Sequence, residues 1–88
     1  MQNEVEHNHT RAHIRLTNQK EAIHFVNELS KKFDEYCIEN KDGTRKVNAK
    51  SIIGLMYFII DLNDEMYLVN ETHDGLIPSS LDVYRVVA

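Results

Sequence analysis

The stretch Val47–Met56, VNAKSIIGLM, sets one serine directly in front of an apolar run. Lys50 stands before Ser51, and the seven positions ahead of that serine, Thr44 to Lys50, hold no acid. A serine hydroxyl can accept a hydrogen bond from one of the backbone N–H groups that a helix start leaves without a partner. Ile52, Leu55, Met56 and Ile59 then recur at helical spacing, so the spacing predicts a short helix opening at Ser51. Gly54 weakens that helix slightly. The many β-branched residues leave a strand open as the alternative.

N-terminal to this stretch, "KDGTR" places Asp42-Gly43 at a hairpin turn. "EYCIEN" before it alternates, with Tyr36 and Ile38 on one side, and "KVNA" after it is the return strand. Further back, "TNQKEAIHFVNELSKKF" changes period. Ala22, Val26, Leu29 and Phe33 fall on one stripe, flanked by Ile23 and Phe25, which predicts an amphipathic helix. Asn18 with Glu21 three residues later makes a capping box at its start. Lys31 and Lys32 suit the negative end of its dipole. "AHIRL" alternates as a first strand, with Ala12, Ile14 and Leu16 facing inward.

Beyond the stretch, "DLND" ends the second helix, with Asn63 suited to the turn. "EMYLVNE" is a fourth strand, with Met66 and Leu68 facing in. The tail reads two ways. Ser79 and Asp82 could cap a last short helix with Leu81 and Tyr84 inside, whereas "VYRVVA" would serve equally as a strand. Residues 1–11 carry no hydrophobic period and are expected as a loose arm, leaving residues 12–88 as the domain. The order strand, helix, strand, strand, helix, strand implies an α+β open-faced sandwich: a four-stranded antiparallel sheet with two or three helices on one face.

Eighty-eight residues make one small domain, and a hydrophobic fraction of 42% is enough for a packed core. The formal charge of −4 argues against nucleic acid as the main partner. Lys41, Arg45, Lys46 and Lys50 nevertheless cluster just before and within the opening stretch. Cys37 is the one cysteine, so no intrachain disulfide forms, and it is expected as a small buried hydrophobe. The polar start "MQNEVEHNH" is no secretory leader, and Leu55–Ile60 is too short to cross a bilayer. A cytoplasmic domain without a membrane segment is the expectation. His7, His9 and His13 form an H-x-H-x3-H pattern without the second shell a metal site needs, so no metal is expected. Neither a Ser-His-Asp arrangement, nor paired carboxylates, nor a glycine-rich phosphate loop stands out. Regulation or binding is therefore expected rather than catalysis, with no cofactor.

"KDGTRKVNAKSIIGLM" resembles the strand-to-helix segment of HPr, the histidine-containing phosphocarrier of the bacterial sugar phosphotransferase system. The element order matches that HPr-like fold, and the resemblance covers Ala12 to Glu71, most specifically Lys46 to Met56. Members carry a phosphocarrier histidine at the start of the first helix, in a Gly-[Ile/Leu]-His-Ala-Arg-Pro-Ala context. Here Gln19 falls at the histidine position, Glu21 at the arginine position and Ala22 at the proline position. A glutamine cannot carry a transferable phosphoryl group, and a glutamate there would repel one. His24 lies a turn further on and His13 on a strand, so neither inherits the role by position. A phosphocarrier using His24 remains an alternative.

The second family site is a serine at the head of the second helix, and Ser51 matches it. The resemblance implies phosphorylation of Ser51 by HPr kinase/phosphorylase, and binding to a catabolite-control transcription regulator through Lys50, Ile52, Ile53 and Met56. The Crh branch of the family likewise has glutamine for the histidine and keeps the serine. The loss of the arginine and proline sets this chain apart from that branch. A further alternative is a degenerate interaction or dimerisation module. The family normally closes its sheet with a longer third helix, and an uncovered sheet would favour a homodimer.

Overall fold

Alternation is what assembles the sheet. The computed structural model describes residues 11–72 and 75–86. Four short strands, β1 (Arg11–Ile14), β2 (Tyr36–Glu39), β3 (Lys46–Asn48) and β4 (Met66–Asn70), pair antiparallel in the order β1-β4-β2-β3. The register aligns Ala12, Leu68, Ile38 and Val47 across all four strands, with Ile14 opposite Met66. Because side chains alternate between faces, these residues share the inner face. Arg11, Val69, Cys37 and Asn48, then His13, Tyr67, Glu39 and Lys46, form the rows of the other face.

Helix α1 (Gln19–Ser30) lays Ala22, Phe25, Val26 and Leu29 on the inner face. Its start is fixed as the sequence implied: Asn18 Oδ1 accepts from the Glu21 N–H at 2.8 Å. The Glu21 carboxylate reaches back one residue further than a capping box requires, accepting from the Thr17 N–H at 2.8 Å. The stripe expected to run to Phe33 is corrected. The helix ends at Ser30, Phe25 takes the core place expected of Phe33, and Phe33 is fully exposed at 101%. Lys31 and Lys32 accordingly stand beyond the last helical residue.

The opening stretch is helical. Helix α2 (Ile52–Met56) runs directly into a π-helical segment, Tyr57–Leu62. Asn63 closes it in the left-handed region (φ 49°), donating its N–H to the Phe58 carbonyl at 2.9 Å. Leu55 and Phe58 are completely buried against the sheet. The β2–β3 hairpin turns through Gly43 at φ 76°, a conformation natural to glycine. Asn40, itself buried, accepts from the Arg45 N–H through Oδ1 at 3.0 Å.

Both readings of the tail hold in part. A 3₁₀ helix, Ser79–Tyr84, buries Leu81 completely. Arg85 then bridges to Ile14, the Arg15 N–H donates to Tyr84 O at 2.8 Å, and the Val86 N–H to His13 O at 2.9 Å. Ser79 does not cap: Pro78 occupies that position and offers no side-chain bond. Ile77, Leu81 and Tyr84 pack on the same core as α1 and the sheet, so the tail supplies cover that was expected to be missing. Arg11, expected in the arm, is the first residue of β1, and its guanidinium meets Glu39 Oε2 at 2.9 Å. The remainder of the expected arm, with His7 and His9, lies outside the described residues.

Candidate functional site

The turn between β3 and α2 is built by two side chains. Asn48 Oδ1 accepts from the Lys50 N–H at 2.8 Å, and Asn48 O from the Ser51 N–H at 3.0 Å. Ser51 is thereby held in extended geometry (φ −106°, ψ 115°), the conformation of a helix cap. Its Oγ accepts from the Gly54 N–H at 3.1 Å and its carbonyl from the Leu55 N–H at 3.0 Å. The hydroxyl stays partly open to solvent at the positive end of the helix.

Around Ser51 the residues divide. Ile53 is 84% exposed. Ile52 and Met56 are half-buried and pack against the core, so each offers only part of its surface to a partner. Lys50 does not extend into solvent. Its ammonium donates to the Lys32 carbonyl at 2.8 Å and stands 5.8 Å from the Tyr36 ring centre. That bond ties the end of α1 to the head of α2. The sequence carried no sign of it, because Lys32 and Lys50 are distant along the chain. Gly54 lies close to Val47, and a Cβ added there would meet Val47 Cβ at 3.0 Å.

Gln19 is the first residue of α1 and is exposed. It sits at the head of its helix, as Ser51 does at the head of α2, but on a different element. His24 is exposed on the second turn of α1. Its Nδ1 hydrogen-bonds the Tyr84 hydroxyl, and its Nε2 lies 3.8 Å from Glu28 Oε2. A hydrogen bond from Lys31 holds the Glu28 carboxyl below the usual range. Burial, followed by Glu21 and Glu28, pushes the Tyr84 phenol up. His13 stacks on Tyr67 with ring centres 4.6 Å apart, on the sheet face away from the helices.

Cys37 is buried on that same face, and burial, the largest cause, pushes its thiol up to about 11. Thiolate chemistry is disfavoured there. Among the described residues no group of three or more His, Cys, Asp or Glu is placed to hold a metal ion. No helix of the described residues is long and apolar enough to cross a membrane.

The arrangement can present a hydroxyl, flanked by an exposed isoleucine, at a helix start where negative charge is favoured. The residue that sequence reasoning missed is Phe33, whose position beside Lys32 becomes visible only once α1 is seen to end early. The chain matches no family model, and no curated protein and no solved structure is significantly similar to it.

Proposed function

We propose that this chain is an HPr-like regulatory protein that is phosphorylated on Ser51 and binds a partner protein through the surface around it. The observation that carries this reading is the geometry of Ser51: a partly exposed Oγ at the head of α2, beside the outward-facing Ile53. A phosphate there would face backbone N–H groups and the positive end of the helix. The antiparallel four-stranded open sheet with its helices on one face is compatible with the HPr-like fold that the segment Lys46–Met56 suggests. Gln19 at the head of α1 removes the carrier chemistry, which leaves a regulatory role. By resemblance the modifying enzyme is an HPr kinase/phosphorylase and the partner a catabolite-control transcription regulator.

The test is incubation with HPr kinase and ATP, read by intact mass. One added phosphate that is absent from Ser51→Ala supports the proposal. No added phosphate, or phosphate that persists in Ser51→Ala, sinks it. A second reading, phosphate carried by His24, rests on an exposed ring whose Nδ1 meets the Tyr84 hydroxyl. An acid-labile, alkali-stable phosphate formed from phosphoenolpyruvate and enzyme I would favour it, although Glu28 beside the ring would repel that group.

A further inference from the structure

An aromatic side chain wholly in water is costly to keep, since burying a phenylalanine is worth about 1.5–3 kcal/mol. Phe33 is nevertheless presented on firmly held backbone. The Lys32 N–H donates to Leu29 O at 2.9 Å, and its carbonyl accepts from Lys50 Nζ at 2.8 Å. On the other side Asp34 accepts from Asn70 Nδ2 at 3.0 Å, and the Glu35 N–H donates to Thr72 Oγ1 at 2.7 Å. The knob is therefore preorganised, which lowers the entropic cost of using it in a contact. Lys31 and Lys32 precede it, making a cationic shoulder.

A receiving site of matching chemistry lies on the same molecule. A cavity of about 380 Å³ opens between β1, the end of the π-helical segment and the tail. Ile59, Met66 and Val86 are among its apolar lining, Arg15 is on its rim, and Asp64 and Glu65 supply acids there. It has room for a phenyl ring, an arginine to stack on that ring, and carboxylates to face the two lysines.

Phe33 cannot reach this cavity within its own chain. The loop that carries it is pinned to Asn70 and Thr72, at the end of β4, whereas the cavity is lined by Met66, where β4 begins. Knob and cavity thus sit at opposite ends of the central strand, roughly 14 Å apart at the rise of a β-strand.

We propose that this surface pair joins copies of the chain head to tail: Phe33 of one copy enters the cavity of the next, with Lys31 and Lys32 against Asp64 and Glu65. Such a contact is heterologous and does not close on itself, so it propagates with concentration. It does not depend on modification of Ser51, and its failure leaves the proposed function untouched.

Sedimentation velocity of the full chain tests it. The weight-average mass rises above that of the monomer with a dissociation constant on the order of 0.1–1 mM, as suits a contact below standard interface size. Added salt weakens it. Phe33→Asp, at a fully exposed position that folding does not need, weakens association at least about tenfold. Lys31→Glu with Lys32→Glu, and Asp64→Lys with Glu65→Lys, each sediment as monomers. Mixing those two charge-reversed proteins restores association, because each then offers the other a complementary contact. A wild-type chain that stays monomeric at about 1 mM, a Phe33→Asp variant that associates like wild type, or a mixture that stays monomeric overturns the proposal.

Discussion

Replacing Ser51 by alanine and by aspartate separates its capping role from its tolerance of negative charge. Helix α2 spans only Ile52–Met56, and the Ser51 Oγ acceptor satisfies the Gly54 N–H at 3.1 Å. Ser51→Ala removes that acceptor, and losing an N-cap side chain costs about 1 kcal/mol. In a domain of this size the same loss lowers Tm by roughly 4–8 °C. Ser51→Asp keeps an acceptor and adds a charge that interacts favourably with the helix start by about 0.3–1 kcal/mol. The expected order of stability is therefore Asp equal to or above Ser, with Ala lowest. Urea unfolding followed by circular dichroism measures it, and an unchanged m-value confirms that only stability has moved. If Ala matches wild type, the hydroxyl bond contributes nothing. If Asp falls below Ala, the head of α2 rejects negative charge and phosphorylation there loses its physical basis.

Three further expectations follow from the packing. Asn70→Ala removes the bonds to Asp34 Oδ2 (3.0 Å), Leu76 O (2.9 Å) and the Thr72 N–H (2.8 Å), and should cost about 3 kcal/mol in urea denaturation, because one of the three bonds engages a carboxylate. A cost under about 1 kcal/mol would show that water replaces them. Gly54→Ala gains about 1 kcal/mol in helix propensity but sets a Cβ 3.0 Å from Val47 Cβ. The overpacking costs about 1–3 kcal/mol, so the variant should unfold at lower urea than wild type, and a more stable variant would show that β3 yields freely.

Burial raises the Cys37 thiol from 9.0 to about 11, so the folded state holds this proton more tightly than the unfolded chain does. Its contribution is complete below pH 9.0 and is lost as pH rises to about 11, a fall of at most about 2–3 kcal/mol. The phenols of Tyr36, Tyr67 and Tyr84 are also raised and act in the same direction at higher pH. The decisive measurement is therefore the difference between wild type and Cys37→Ala across that window, and equal slopes would refute the assignment.

Local signals carried much of the fold. Asn18 with Glu21, the alternation of Ala12 and Ile14 and of Met66 and Leu68, and Asp42-Gly43 each act within a few residues. The start of α1, two inner-face strands and the hairpin were therefore legible. The head of α2 was legible for the same reason, since a serine cap needs only the next three residues. The end of α1 was not. The apolar period continues to Phe33, but the chain must leave the helix for β2 to pair with β4, and distant groups secure that exit: Lys50 on the Lys32 carbonyl, Asn70 on Asp34 and Thr72 on Glu35. The π-helical segment was also hidden, because the Asn63 N–H closes on Phe58 rather than one residue later. The tail divided between helix and strand because its first half buries Leu81 and its second half borrows β1 as a partner.

By itself, the sequence determined which segments form helix or strand, which faces are apolar, and that a serine heads the second helix, since all of these rest on neighbours three or four residues away. Only the tertiary structure decided that Lys50 is an internal tie, that Ile52 and Met56 are partly claimed by the core while Ile53 is not, and that Phe33 stands in water. Exposure is set by which surfaces meet when the helices close on the sheet, and no periodicity in one segment records where the other segments will lie.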